Sequence, residues 1–218
     1  MASPRFQNPW SDGDHSFLDI LKWKLGRLEP EPEADSGPEL RRPPEVIQLD
    51  RESIASSPAD GWRVVWLGHA SFLVQGAGLS LLIDPIFSDF CSPLPIGSLK
   101  RIIPPPCHLA DLPRIDAILV THGHYDHMDL ATLRAFGGET RIITAAGHAG
   151  WLGRKLRRAV EEVGWDESIP LGHGVTVTGT PAQHFSARTP FDRNKSHWGG
   201  WLIDDGRVKL WHAGDSAY

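Results

Sequence analysis

The chain has 218 residues, room for one medium domain, and its 40% hydrophobic and 22% charged content is ordinary for a globular protein. A formal net charge of -5 argues against a general nucleic-acid binder, and two cysteines, Cys91 and Cys107, supply no disulfide framework and suit a reducing, cytoplasmic compartment. No stretch approaches the ~20 apolar residues of a membrane span, and the N-terminus lacks the charged start and apolar run of a secretory signal.

In chain order, residues 1–15 read as irregular. The segment "HSFLDILKWKLGRLE" predicts a short amphipathic helix: Phe17, Leu18, Leu21, Leu25 and Leu28 share one face, and Lys22, Lys24 and Arg27 make a basic one. Such a helix suits peripheral contact with an anionic membrane surface, or it packs its apolar side on the body of the protein. A Pro-rich, charged linker follows, so residues 1–60 read as an arm and the folded body is expected from Gly61 to Tyr218. The nine tryptophans of the chain are mainly core and surface packing, with an aromatic-lined pocket or lipid contact as the functional alternative.

Within the body, strands are predicted over 62–67, 70–75 and 79–83, broken by Gly-containing turns. A Pro-rich loop leads to "IDAILVT", a continuous apolar run that fits a strand buried on both faces. "DLATLRAF" predicts a helix and "RIITAAG" a strand. "GHAGWLGRKLRRAVEEVG" predicts one long helix ended by Gly164. "GVTVTGTPAQH" reads as a strand running into a loop, and the last segment as a hairpin turning at Asp204-Asp205-Gly206. Alternating strands and helices indicate a layered α/β architecture. The chain stops at Tyr218 directly after a strand and a Gly-Asp turn, where a complete sandwich is not expected to end.

The chemistry concentrates in "VTHGHYDHMD". His122, His124, Asp126 and His127 follow the buried strand in an H-x-H-x-D-H spacing. A loop with that spacing aims imidazoles and a carboxylate into one cavity, and such donors suit Zn²⁺, Fe or Mn²⁺. Four donors exceed what one metal with an open position needs, so two metals are expected. A histidine-rich surface loop is the bland alternative and far less specific. Around this loop, Asp84 reads as a support for a ligand histidine or as a turn residue before Pro85. His69 reads as a core histidine or as a residue approaching the metal cavity. His197, Arg188, Asp192 and Asn194 read as flanking the substrate or as a solvated loop. Tyr125 packs or reaches substrate, and His108, His148 and His173 read as structural or surface residues.

"THGHYDHMD" resembles the signature loop of the metallo-β-lactamase fold superfamily. "GHASFLV", "LLIDPIFSD", "TPAQHFSART" and "WHAGDSAY" are similar to its other motifs. The runs "KRIIPPPCHLADLPRIDAILVTHGHYDHMD" and "TPAQHFSARTPFDRNKSHWGGW" narrow the resemblance to the N-acylphosphatidylethanolamine-hydrolysing phospholipase D branch. The resemblance implies an αββα sandwich, truncated here after its first half. It implies that His122, His124 and His184 hold one zinc, that Asp126 and His127 hold another, and that Asp215 bridges them. It implies a metal-bound hydroxide attacking a phosphodiester, with Asp126 or Asp215 relaying the proton. A further histidine beyond the bridging aspartate completes the family's second site and is not found before Tyr218, and Gly123 stands where relatives often carry a larger residue. The rival expectations are a same-fold hydrolase of a lactone, cyclic phosphodiester or sugar phosphate, and a non-catalytic metal-binding half-domain. A half sandwich is also expected to self-associate through its exposed face.

Overall fold

The computed structural model describes residues 6–8, 45–93, 99–189 and 191–216. The basic amphipathic helix expected over 17–28, and most of the linker, lie outside the described residues. None of the described helices is long and apolar enough to cross a membrane.

Two sheets stack face to face. The first has six strands in spatial order: β1 (Trp62–Gly68), β2 (Ser71–Gly76), β3 (Leu79–Ile83), β4 (Ala117–Val120), β5 (Arg141–Ala145) and β6 (Glu161–Val163). The β1–β2–β3 pairs are antiparallel, and β3 to β6 run parallel. The second sheet is antiparallel, in the order β10 (Lys209–His212), β9 (Gly200–Asp204), β8 (Val175–Thr180), β7 (Ser168–Gly172).

Side-chain alternation explains the layers. Ala117 and Leu119 of β4 point between the sheets, where Leu81, Ile83 and Ile143 meet Val175, Val177, Trp201 and Ile203. Ile118 and Val120 point the other way, onto Leu133 of α2 (Leu130–Ala135), Leu152 of α3 (Ala149–Leu156) and Ile54 of α1 (Arg51–Ile54). A strand buried on both faces has no polar side, which is why "IDAILV" is unbroken. The described residues thus form a helix layer and two sheets, with fully buried side chains on both faces of the central sheet.

Several expectations change. Packing begins before Gly61: Ile54 is fully buried, and Leu49 packs on the same cluster. The long helix ends at Leu156, because Arg157 adopts a left-handed backbone, φ 56. Residues 161–163 instead form an edge strand beside β5, fixed by a two-pronged Arg141–Glu161 pair at 2.8 and 2.7 Å. An open sheet edge outweighs the helix propensity of Ala, Arg and Glu. Strand β7 was not foreseen, since Pro170 masks it; as an edge strand β7 tolerates the missing N–H. The hairpin loop falls at 205–208, with Asp204 still paired in β9.

Candidate metal centre

The first strand of the hairpin β1–β2 runs parallel to β3, and β10 runs parallel to β8. The C-terminal ends of β1, β3, β4, β8 and β10 therefore open on one rim. From that rim come His69 after β1, Asp84 after β3, the 122–127 loop after β4, His184 after β8 and Asp215 after β10. Ligand sites in layered sheets form at such ends because the loops there can diverge while the strands hold their bases.

The structure gathers these side chains into two donor groups. His122, His124, His184 and Asp215 offer ligand atoms that all lie within 4.8 Å of one another, and His69, Asp126 and His127 form a second group by the same measure. In the first, His124 Nδ1 is 2.8 Å from His122 Nε2 and 3.1 Å from His184 Nε2. Asp215 spans both: its Oδ1 is 3.2 Å from His127 Nε2 and its Oδ2 3.6 Å from His184 Nε2.

Asp84 holds two of the rings from behind. Its carboxylate accepts from the Thr121 N–H at 2.8 Å, the Thr121 hydroxyl at 2.6 Å and His127 Nδ1 at 2.7 Å. With its proton given to Asp84, Thr121 Oγ1 accepts from His122 Nδ1 at 3.0 Å. Both rings thus turn Nε2 toward the cavity, the arrangement that orients imidazole for a metal. His127 Nε2 is buried and faces Asp215 Oδ1 at 3.2 Å. A buried ring nitrogen facing a carboxylate, beside converging imidazole nitrogens, fits a cation.

Electrostatics agree. Burial, then the neighbouring imidazoles, pushes His122 well below its ordinary range, and burial takes His124 to about 4. His184 is also lowered by burial, against the pull of Asp215. These rings are neutral at pH 7, the state that binds metal. His127 differs: burial opposes its charge, but Asp84 and Asp215 outweigh burial and raise its pKa, so a cation binding at Nε2 displaces a proton there. Burial works against ionising Asp126, yet its His69 hydrogen bond and the His127 charge hold it well below the usual carboxylate range.

The remaining candidates separate. His69 is no core histidine: its side chain is 52% exposed, with Nε2 3.0 Å from Asp126 Oδ2. His197 does not flank a substrate space; it is buried between Phe6 and Trp165, each ring 4.1 Å away. Tyr125 packs under Arg188, whose guanidinium carbon sits 4.0 Å from the ring centre. Arg188, Asp192 and Asn194 are not a solvated loop. The Arg188 guanidinium donates at 2.9 Å to both the Gly123 and Met128 carbonyls, which bracket the metal loop. Asp192 accepts from the backbone of Arg188 and Thr189, and Asn194 is buried. His148 is buried and structural, whereas His108 and His173 are exposed. Gly123 is locked: a Cβ there would lie 2.9 Å from His148 Cε1 and 2.9 Å from Ser186 Oγ. Thr121 and the Arg188 clamp escaped sequence reading, although the Thr beside His122 was a readable signal.

Residues 80–218 match the model of the β-lactamase superfamily domain. The chain belongs to the β-lactamase superfamily. Its layered sheets and rim-borne donors are the metallo-β-lactamase fold that the motifs implied. Over 72% of this chain and 48% of the relative, it is 31% identical to N-acyl-phosphatidylethanolamine-hydrolyzing phospholipase D 1 of Caenorhabditis elegans. Among solved structures it is similar to CmlA, a diiron β-hydroxylase from Streptomyces venezuelae, at 31% identity and TM-score 0.50, covering 70% of this chain and 29% of that one. Isothiocyanate hydrolase from Delia radicum gut bacteria shares the fold at 23% identity and TM-score 0.58, covering 71% and 63%. The chain spans about half the length of the curated relatives it matches.

Proposed function

We propose that this chain carries the metal-binding half of a zinc-dependent phosphodiesterase of the phospholipase D type, acting on N-acylphosphatidylethanolamine-like lipids. The observation that carries the reading is the opening of the second donor group into a cavity of about 340 Å³, with an apolar wall of Trp66, Ile86, Leu99, Ile102 and Ile103, the charged Asp89, Lys100 and Arg101 beside it, and His69 and Asp126 at its end. A polar ester linkage joined to an apolar arm suits that junction. The relative in Caenorhabditis elegans named for such a substrate supports the same assignment.

In this reading His122, His124 and His184 hold one cation, Asp126 and His127 the other, and Asp215 lies between. When bound, such a pair supplies water acidified to a pKa of ~7 and neutralises charge on phosphoryl oxygens. The chain's own part is to aim ring nitrogens through Asp84 and Thr121, to keep Asp126 and Asp215 ionised as proton acceptors, and to fix the loop through Arg188. The all-nitrogen and oxygen donor set fits zinc, iron or manganese, and the likeness to a diiron enzyme makes iron the rival to test.

The test is to incubate the zinc-loaded and iron-loaded chain with N-acylphosphatidylethanolamine vesicles and measure N-acylethanolamine and phosphatidic acid by mass spectrometry. A lactone, a cyclic phosphodiester and a sugar phosphate run in parallel. Release of N-acylethanolamine supports the reading; turnover of another class alone reassigns the substrate. Bound zinc without turnover of any of them leaves a metal-binding half-domain. Co-sedimentation with anionic liposomes, with and without residues 1–30, tests peripheral membrane contact.

A further inference from the structure

We propose that His69 is a ligand of the second cation, a donor supplied by the β1–β2 turn rather than by the 122–127 loop. The inference rests on the two-cation reading above and adds to it a residue from a different part of the fold.

Four observations converge. The His69 Nε2 lies 3.0 Å from Asp126 Oδ2, and His127 Nε2 lies 3.9 Å from the same oxygen. Donors bound to one tetrahedral zinc at 2.0–2.1 Å sit about 3.3 Å apart, so these separations suit a shared ion with little movement. Next, His127 has its Nδ1 committed to Asp84, so its buried Nε2 is the ring atom left to face the group. Third, burial does not explain where His69 sits. Its side chain is 52% exposed, yet its Nε2 meets Asp126, with its ring centre 5.5 Å from that of His127. Finally, His69 takes a left-handed backbone, φ 49, which a non-glycine residue rarely adopts. The indole of Trp66 donates to the His69 carbonyl at 2.7 Å and pins that turn.

The competing role is a positioning one, in which Nε2–H merely orients Asp126. The two roles differ at one atom: a ligand Nε2 carries no proton and binds the ion, whereas an orienting Nε2 keeps its proton. The experiment combines zinc titration of the 218-residue protein, counted by elemental analysis and chelator competition, with ¹⁵N spectra of the histidine rings. The wild-type protein is expected to take two equivalents, and the second should move the His69 Nε2 resonance to the metal-bound position. The variant His69→Asn removes the imidazole but tolerates the left-handed turn. It is expected to bind the first equivalent as the wild type does and the second more than about 100-fold more weakly, beyond the cost of losing a residue that only orients a ligand. Two wild-type-affinity equivalents in His69→Asn, or a His69 Nε2 that keeps its proton in the two-zinc protein, overturns the assignment and leaves the two-cation reading standing. A wild-type protein that takes one equivalent or none overturns both. If His69→Asn fails to fold, the ring spectra of the wild type decide.

Discussion

The Asp84 carboxylate lies 2.7 Å from His127 Nδ1, and neither side chain reaches solvent. That contact ties a strand-end carboxylate to a loop 43 residues away and also, through Thr121, to His122. One buried group thus sets a ring in each donor group.

Replacing Asp84 with Asn keeps the shape but removes the charge that matches His127. Zinc affinity should fall about 10–100-fold, the usual effect of losing a ligand's supporting carboxylate. Competition with a chelator of known affinity measures it; an unchanged affinity would show that the ligand rings are held by packing alone.

Arg188 should matter to the loop without touching a metal. Arg188→Met loses charge-assisted hydrogen bonds to the carbonyls of Gly123 and Met128. The expected cost is about 2 kcal/mol of stability, read by denaturant titration. Amide hydrogen exchange should rise across residues 122–128 and little elsewhere. Arg188→Lys should rescue poorly, because an ammonium cannot reproduce the planar guanidinium that stacks on Tyr125.

Acid should destabilise the fold through His148. Burial lowers its pKa to about 4 in the folded protein, while the unfolded chain retains the ordinary 6.5. The unfolded state therefore binds the extra proton first, and stability is full above 6.5 and declines as pH falls toward 4. The loss approaches ~3 kcal/mol when complete. His148→Gln, which keeps a donor for the His197 carbonyl, should flatten the fall of melting temperature over that window.

Metal removal should lower stability as well. The first donor group brings three imidazole nitrogens together at 2.8 and 3.1 Å, and a cation bound by all three ties their loops to one another. Zinc at 1,000 times its dissociation constant should add about 4 kcal/mol. A chelator should lower the melting temperature accordingly, and a melting curve indifferent to chelator would count against a preformed site.

Self-association is expected at the side where, among the described residues, β1 and β10 both end their sheets. Val64 and Trp211 are 52% and 65% exposed there, beside an apolar cleft lined by Phe72, Ile203 and Leu210. Unpaired edges next to apolar surface favour pairing between copies. Sedimentation should show a concentration-dependent oligomer that Val64→Lys with Trp211→Lys weakens; a monomer throughout would remove the proposal.

The donor-rich loop was legible in the sequence because its residues are neighbours along the chain. His122, His124, Asp126 and His127 need no tertiary information to be seen together, and the apolar run before them announces the strand that carries them. Distant partners His184 and Asp215 were legible only through family likeness. The sequence could not tell His69 from a core histidine or His197 from a substrate-flanking one, since a lone imidazole looks the same in both settings. Nor could it show that residues 161–163 leave a helical pattern to complete a sheet edge. Those decisions belong to the tertiary structure. Local pattern fixes which side chains are available, but the parallel run of β1, β3, β4, β8 and β10 decides which of them share a rim, and only close packing settles which ring nitrogen faces the cavity.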